Sequence, residues 1–179
     1  TALKETWELD SGMPSVFLGE WCKLYSESSI WSNVNSEVLS FHWDDRIKLK
    51  NDHDYLKELY EKLLKELCNE LNTLHKVNYN KEFWRIVLGP WLITYIPIIF
   101  DRWEMLRIAF EKNSVYTIVK LKLKNFNSFV PQNYDDFVEL FQTDLWNLII
   151  YQRILEKRYS NQISFIEIET EHTFHKYTN

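Results

Sequence analysis

The chain has 179 residues, 45% of them hydrophobic and 26% charged, with a formal net charge of −5. That is a globular composition with enough length to bury a core, which excludes a disordered chain. The acidic balance excludes a general nucleic-acid binder, whose footprint would be a basic face.

The first element is a short apolar run from Ser15 to Leu18, opened by a turn at Ser11–Gly12 and closed by Gly19. It reads as a buried strand. "CKLYSESSIW" follows as a short helix, and Glu37–Phe41 as a second strand. From Tyr55 to Leu74, apolar residues recur at three- and four-residue steps, a single stripe on an amphipathic helix. Asp52 or Asp54 is expected to cap it. Its wet side carries the i,i+4 pairs Glu58–Lys62 and Glu61–Lys65.

A second helix is expected from Asn80–Lys81, kinked or broken at Pro90 and Pro97 and continuing through "DRWEMLRIAFEK". Between Arg85 and Asp101 it carries no charge. Ile86 to Phe100 would rise only about 22 Å as a helix, short of the roughly 30 Å of a bilayer core. It is therefore expected to be a core element and not a transmembrane segment. "SVYTIVKLKLK" alternates and reads as a strand. The cluster Lys120, Lys122 and Lys124 then marks its exposed edge. "NYDDFVELFQTDLWNLIIYQRILEKR" reads as one amphipathic helix with Asp135 and Asp136 in its first turn, and "QISFIEIET" as a last strand.

Strands separated by helices predict a single α/β domain over residues 1–179. Its expected form is a three-layer Rossmann-like sandwich with a mainly parallel sheet and a high helical share. A mostly α domain with a small sheet is the alternative.

Ligands of such sheets bind beyond the carboxyl ends of the strands. Gly19-Glu20-Trp21 follows the first strand, and His42-Trp43-Asp44-Asp45-Arg46 follows the second. Glu20, Asp44 and His42 are the candidate acid–base groups, because a carboxylate crowded by others or by indoles can hold a proton near neutrality. Trp21, Trp43, Asp45, Arg46, Arg85 and Trp91 are the candidate substrate contacts. Each has a plainer use. Asp44 or Asp45 can cap a helix, Arg46 can pair with one of them, and His42 can be a structural hydrogen-bonder. Arg85 suits a bidentate anion contact or an ion pair, and Gly89-Pro90-Trp91 suits close packing.

No metal is expected, since His172-x-x-His175 lacks a third ligand. Two distant cysteines, Cys22 and Cys68, make no disulfide framework, so reduced thiols and a cytoplasmic setting are expected. The chain opens at Thr1 without a Met, as expected of a fragment or a trimmed product.

"TALKETW", "VFLGEWCKLYS", "FHWDDR", "YLKELYEKLL" and "FWRIVLGPWL...FDRW" resemble the N-terminal part of transferases encoded in bacterial O-antigen and surface-polysaccharide clusters. The likeness is strongest from Thr1 to Trp103 and thinner after Lys120. It implies the first half of a two-domain glycosyltransferase with paired Rossmann-like halves. This half would hold a sugar or lipid-linked sugar acceptor. The missing C-terminal domain would hold the nucleotide-sugar donor, so no cofactor is expected in this part, and the part alone would not turn over. Any membrane association would come through partners. A non-catalytic binding or assembly domain of the same machinery is the alternative, and a small stand-alone sugar- or nucleotide-modifying enzyme is a third option.

Overall fold

The computed structural model describes residues 1–7, 14–115, 117–123 and 129–170. It is an α/β structure, 64% helical, with two small parallel two-stranded sheets. The chain divides into two compact units. One joins the two ends of the sequence, Thr1–Phe41 and Met105–Asn179, and the other is the intervening segment His42–Glu104.

In the first unit, β1 (Ser15–Phe17) and β2 (Ser36–Val38) pair in parallel, with Ser15 opposite Ser36. The crossover between them holds the one-turn helix α1 (Ser28–Trp31). Trp7 meets Phe17 edge-on at 5.4 Å and packs with Cys22 beneath this pair. β3 (Thr117–Leu123) pairs in parallel with β4 (Ser164–Thr170), in a register running from Thr117–Ser164 to Leu123–Thr170. Their alternation gives one face to the core, where Val119 and Leu121 are buried. Lys120 lies on the outer face and is held by Glu156 at 2.8 Å and Glu167 at 3.2 Å. Those carboxylates hold its ammonium above the usual lysine range, outweighing partial burial.

The helix expected from Tyr134 to Arg158 is two helices, α4 (Tyr134–Leu140) and α5 (Asp144–Arg158). Asn133 caps α4, and Thr143 caps α5 by accepting from the Trp146 N–H at 3.3 Å. The break is a second start signal, Thr143-Asp144, inside one continuous apolar pattern. The four strands form two separate pairs, not one continuous sheet, so the expected three-layer arrangement does not follow from the strand pairing.

The second unit is a helical hairpin. α2 (Arg46–His75) starts well before the expected cap at Asp52 or Asp54. Asp45 is the cap, accepting from the N–H groups of Ile47 (2.9 Å) and Lys48 (3.1 Å). Helix-compatible residues continue upstream of the apolar stripe, so the stripe marks what is buried and not where the helix begins. α2 ends at Lys76 in the left-handed conformation, φ 55°.

Asn72 then ties the turn together. Its side chain accepts from Tyr79 N–H and from Trp84 Nε1, and donates to the Tyr79 carbonyl. α3 (Lys81–Lys112) holds Pro90 and Pro97 inside it without a break and continues through the stretch 101–112, as expected. Leu56, Leu64 and Cys68 of α2 pack against Trp84, Leu92 and Ile96 of α3. Both cysteines are free and buried.

The most apolar 18-residue window of α3 is only 22% buried, where a core element was expected. The helix is long and apolar enough, by length and composition, to cross a membrane. Phe83, Ile86, Val87 and Ile93 are all exposed and lie along one side at helical spacing. The periodicity that normally reports burial has here produced an open apolar face.

Asp45→Ala should lower the thermal midpoint of the chain by the equivalent of about 1 kcal/mol, the usual cost of losing an N-cap. A thermal melt followed at 222 nm would check this. A shift below the resolution of the melt would mean that the 3₁₀ turn before α2 already fixes its start.

Candidate functional site

In the first unit, Glu20 and Trp21 lie on a single 3₁₀ turn, Glu20–Cys22, directly after β1. The Glu20 side chain is 79% exposed, and its nearest cation, Lys23, is 3.7 Å away. The Trp21 indole is partly exposed and meets Phe41 edge-on at 5.8 Å. Its ring folds back over Gly19, where an added Cβ would come within 2.1 Å of ring carbon Cζ3. No other residue type leaves the indole room to lie there. The result is an exposed carboxylate beside an exposed indole held by a glycine.

In the second unit, a 3₁₀ turn, His42–Asp44, leads into α2. His42 is buried, and its Nε2 lies 2.9 Å from Asp101 Oδ1 on α3. Asp101 also receives Arg102 Nη1. A carboxylate bonded to a guanidinium can only accept, so Nε2 carries the proton of the His42–Asp101 bond. Nδ1 is 3.9 Å from Asp52 Oδ2, beyond hydrogen-bond length. Asp52 accepts from Trp43 Nε1 at 3.0 Å and from Lys48 Nζ at 2.6 Å. Lys48 also reaches the buried Glu104 at 2.9 Å. Burial pulls the Lys48 ammonium down, but its hydrogen bonds to Asp52 and Glu104 outweigh this and leave it above the usual lysine range. The aromatic wall is Trp43 stacked near Phe100 at 6.3 Å.

The remaining predicted residues fall as follows. Asp44 and Arg46 are exposed at the start of α2. Asp45 is engaged with its own helix backbone. Arg85 binds Glu61 through two nitrogens, at 2.6 and 2.9 Å, and Lys81 joins the same carboxylate. The Arg85 guanidinium also sits 5.7 Å over the Tyr60 ring. Trp91 stacks on Tyr95 at 4.7 Å.

Glu20 and Trp21 thus belong to one unit, and His42, Trp43, Asp44, Asp45, Arg46, Arg85 and Trp91 to the other. The ionic network of Lys48, Asp52, Asp101 and Glu104 was not anticipated. Two signals for it stood in the sequence: the i,i+4 pair Lys48–Asp52, and two carboxylates, Asp101 and Glu104, one turn apart just after the uncharged stretch 86–100 of α3. Among the described residues, no group of three or more His, Cys, Asp and Glu could hold a metal ion. His172 and His175 lie outside the described residues.

A family model described as LIC12162 family transferase matches residues 1–179. The chain belongs to this family. No curated protein and no solved structure matches it. Within this LIC12162-family chain, the exposed groups among those predicted are Glu20, Trp21, Asp44, Asp45 and Arg46, of which Asp45 is engaged with the backbone of α2. His42, with its side chain fully buried, can hold the start of α2 against α3 and cannot touch a substrate as it stands.

The Glu61 cluster makes a pH prediction. The hydrogen bonds from Arg85 and Lys81 hold the Glu61 carboxyl down at about 2, against an ordinary value of 4.5. A lowered folded value means that this contribution to stability is fully present above the unfolded value and is lost as pH falls through about 2. The Glu61 carboxyl carbon, followed by NMR, should titrate near pH 2. It should move toward 4.5 in Arg85→Gln. An unchanged midpoint in that variant would show that Arg85 does not hold the carboxylate in solution.

Proposed function

We propose that this chain is the acceptor-side, N-terminal part of a glycosyltransferase of bacterial surface-polysaccharide (O-antigen) biosynthesis. The match to a transferase family along residues 1–179 is the observation that carries the reading. The five sequence blocks that carry the resemblance narrow it to glycosyl transfer. The fold belongs to the same proposal: the two parallel strand pairs are the strands of a Rossmann-like layer. Leu18, directly after β1, packs into three hydrophobic clusters of the first unit.

Glu20 and Trp21 supply the chemistry. An indole face packs against the C–H face of a sugar, and a carboxylate next to it can accept a hydroxyl proton. In an inverting transfer, Glu20 takes the proton of the acceptor hydroxyl as its oxygen bonds to the anomeric carbon of the donor. The bond to the nucleoside diphosphate breaks, and the diphosphate leaves with the electron pair. Asp44, exposed at the start of α2 in the other unit, is the alternative acid–base candidate, and Arg46 is the exposed cation beside it. The nucleotide-sugar is a substrate brought by the C-terminal part, and cytoplasmic placement goes with that supply. Transfer of labelled sugar by the full-length protein, across a panel of nucleotide-sugars, tests the proposal. Glu20→Gln should cut transfer by orders of magnitude and leave the fold intact, and Asp44→Asn tests the alternative base in the same way.

One observation favours a second reading, a non-catalytic binding or assembly domain. The exposed stripe Phe83, Ile86, Val87 and Ile93 is the kind of apolar face that marks an interaction surface. We read it as a docking face and not a span. Pro90 and Pro97 cannot donate to the carbonyls of Ile86 and Ile93, and unpaired carbonyls are costly in hydrocarbon. If the full-length protein transfers no sugar from any donor, or both variants transfer normally, this second reading replaces the first.

A further inference from the structure

We propose that the open edge of β4 is a strand-addition site. It takes an extended segment that alternates apolar residues with Lys or Arg, supplied by the C-terminal part of the full-length protein. That source rests on the reading of this chain as an N-terminal part, whereas the pattern of the segment follows from β4 itself.

β3 and β4 pair in parallel as a sheet of two strands. Parallel strands belong inside larger sheets, with both faces covered. β3 meets that condition, since Val119 is 7% and Leu121 only 2% exposed. Their partners across the pair, Ile166 and Ile168, share the same face and are 40% and 38% exposed. The apolar face therefore runs on past β3 and stops uncovered at β4. An edge strand finished for water is short, or carries charge or Pro at such positions. β4 is 7 residues long and places isoleucine there. Among the described residues no strand pairs with its second edge. The alternate N–H and C=O groups on that side can take one.

Charge defines the segment. The other face of β4 carries Glu167 and Glu169, both exposed. They stand opposite Lys120 and Lys122 of β3, and Lys120 Nζ lies 3.2 Å from Glu167 Oε1. β3 thus shows what β4 accepts: apolar residues on one face, with lysines between them on the other. The second edge of β4 presents the same alternation and selects the same pattern. The β4 of a second copy fits poorly. Antiparallel pairing centred on Glu167 or Ile168 brings isoleucines together but also sets carboxylate against carboxylate.

The test compares hydrogen exchange along β4 in the 179-residue chain and in the full-length protein. Amides of Ser164–Thr170 that exchange rapidly in the chain should slow about 100-fold in the full-length protein. A synthetic Thr-Ile-Val-Lys-Leu-Lys-Leu peptide, copied from β3, should slow the same amides of the chain saturably. A peptide with both lysines replaced by glutamate should not. Glu169→Lys should weaken the lysine peptide about tenfold and admit the glutamate one. Equal exchange in the two proteins overturns the proposal, and so do peptides that bind alike or not at all. Sugar transfer is read separately. A full-length protein that transfers sugar with β4 open refutes this inference alone, and one that protects β4 but transfers no sugar refutes only the transferase reading.

Discussion

Replacing Lys48 with alanine is expected to lower the unfolding free energy of the chain by about 3–5 kcal/mol, the cost of removing one partner from a buried ion pair. Lys48 is the cation that both Asp52 and Glu104 share, at 2.6 and 2.9 Å. Glu104 has a side chain only 3% exposed. Without Lys48, its carboxylate must stay buried without that ion pair or take up a proton, and either course favours the unfolded chain. The side chain of Lys48 is itself only 26% exposed, so solvent cannot simply replace it. Equilibrium urea unfolding followed by circular dichroism measures the effect. A second variant separates charge from packing. Lys48→Met combined with Glu104→Gln removes both charges of the pair and should recover most of the loss. A loss below about 1 kcal/mol in Lys48→Ala would place this network among ordinary surface pairs and remove its claim to hold the hairpin together.

Glu20→Gln in the full-length protein is expected to reduce turnover by about 10²–10⁴-fold, the range that a positioned general base contributes. The loss should lie in kcat with little change in KM, because Gln keeps the shape and the hydrogen-bonding reach of Glu20. Stability gives a clean control. Glu20 is on an exposed turn with only a 3.7 Å contact to Lys23, and such pairs are worth about 0–1 kcal/mol. The thermal midpoint should therefore stay within a degree or two of wild type. A variant that melts early but keeps its activity per folded molecule would assign Glu20 to structure and return the catalytic role to Asp44.

The turns bearing these groups were legible because each follows a strand whose apolar run ends abruptly. Both strands form, as Ser15–Phe17 and Ser36–Val38, and they pair in parallel as two strands joined by a helical crossover should. The same holds for the alternating strands near the C-terminal end. The stripe from Leu56 to Leu71 correctly marked the inner side of the hairpin, while Tyr55 and Leu74 at its ends are exposed. Less legible were the limits of the helices. The start at Asp45 and the break at Thr143 depend on single side-chain oxygens reaching nearby N–H groups. Many Asp and Thr residues in the chain could have done the same.

Local order was therefore written in the sequence: the periodicities of three, four and two that name helix and strand, the order of the elements, and the family match along residues 1–179. Only the tertiary structure decided which charges meet. His42 and Asp101 stand 59 positions apart, and Lys48 finds Glu104 only because α2 folds back along α3. It likewise decided that the apolar side of α3 is partly open. Periodicity depends on neighbours within a turn of chain, whereas burial and ion pairing depend on what the rest of the fold brings to each side chain.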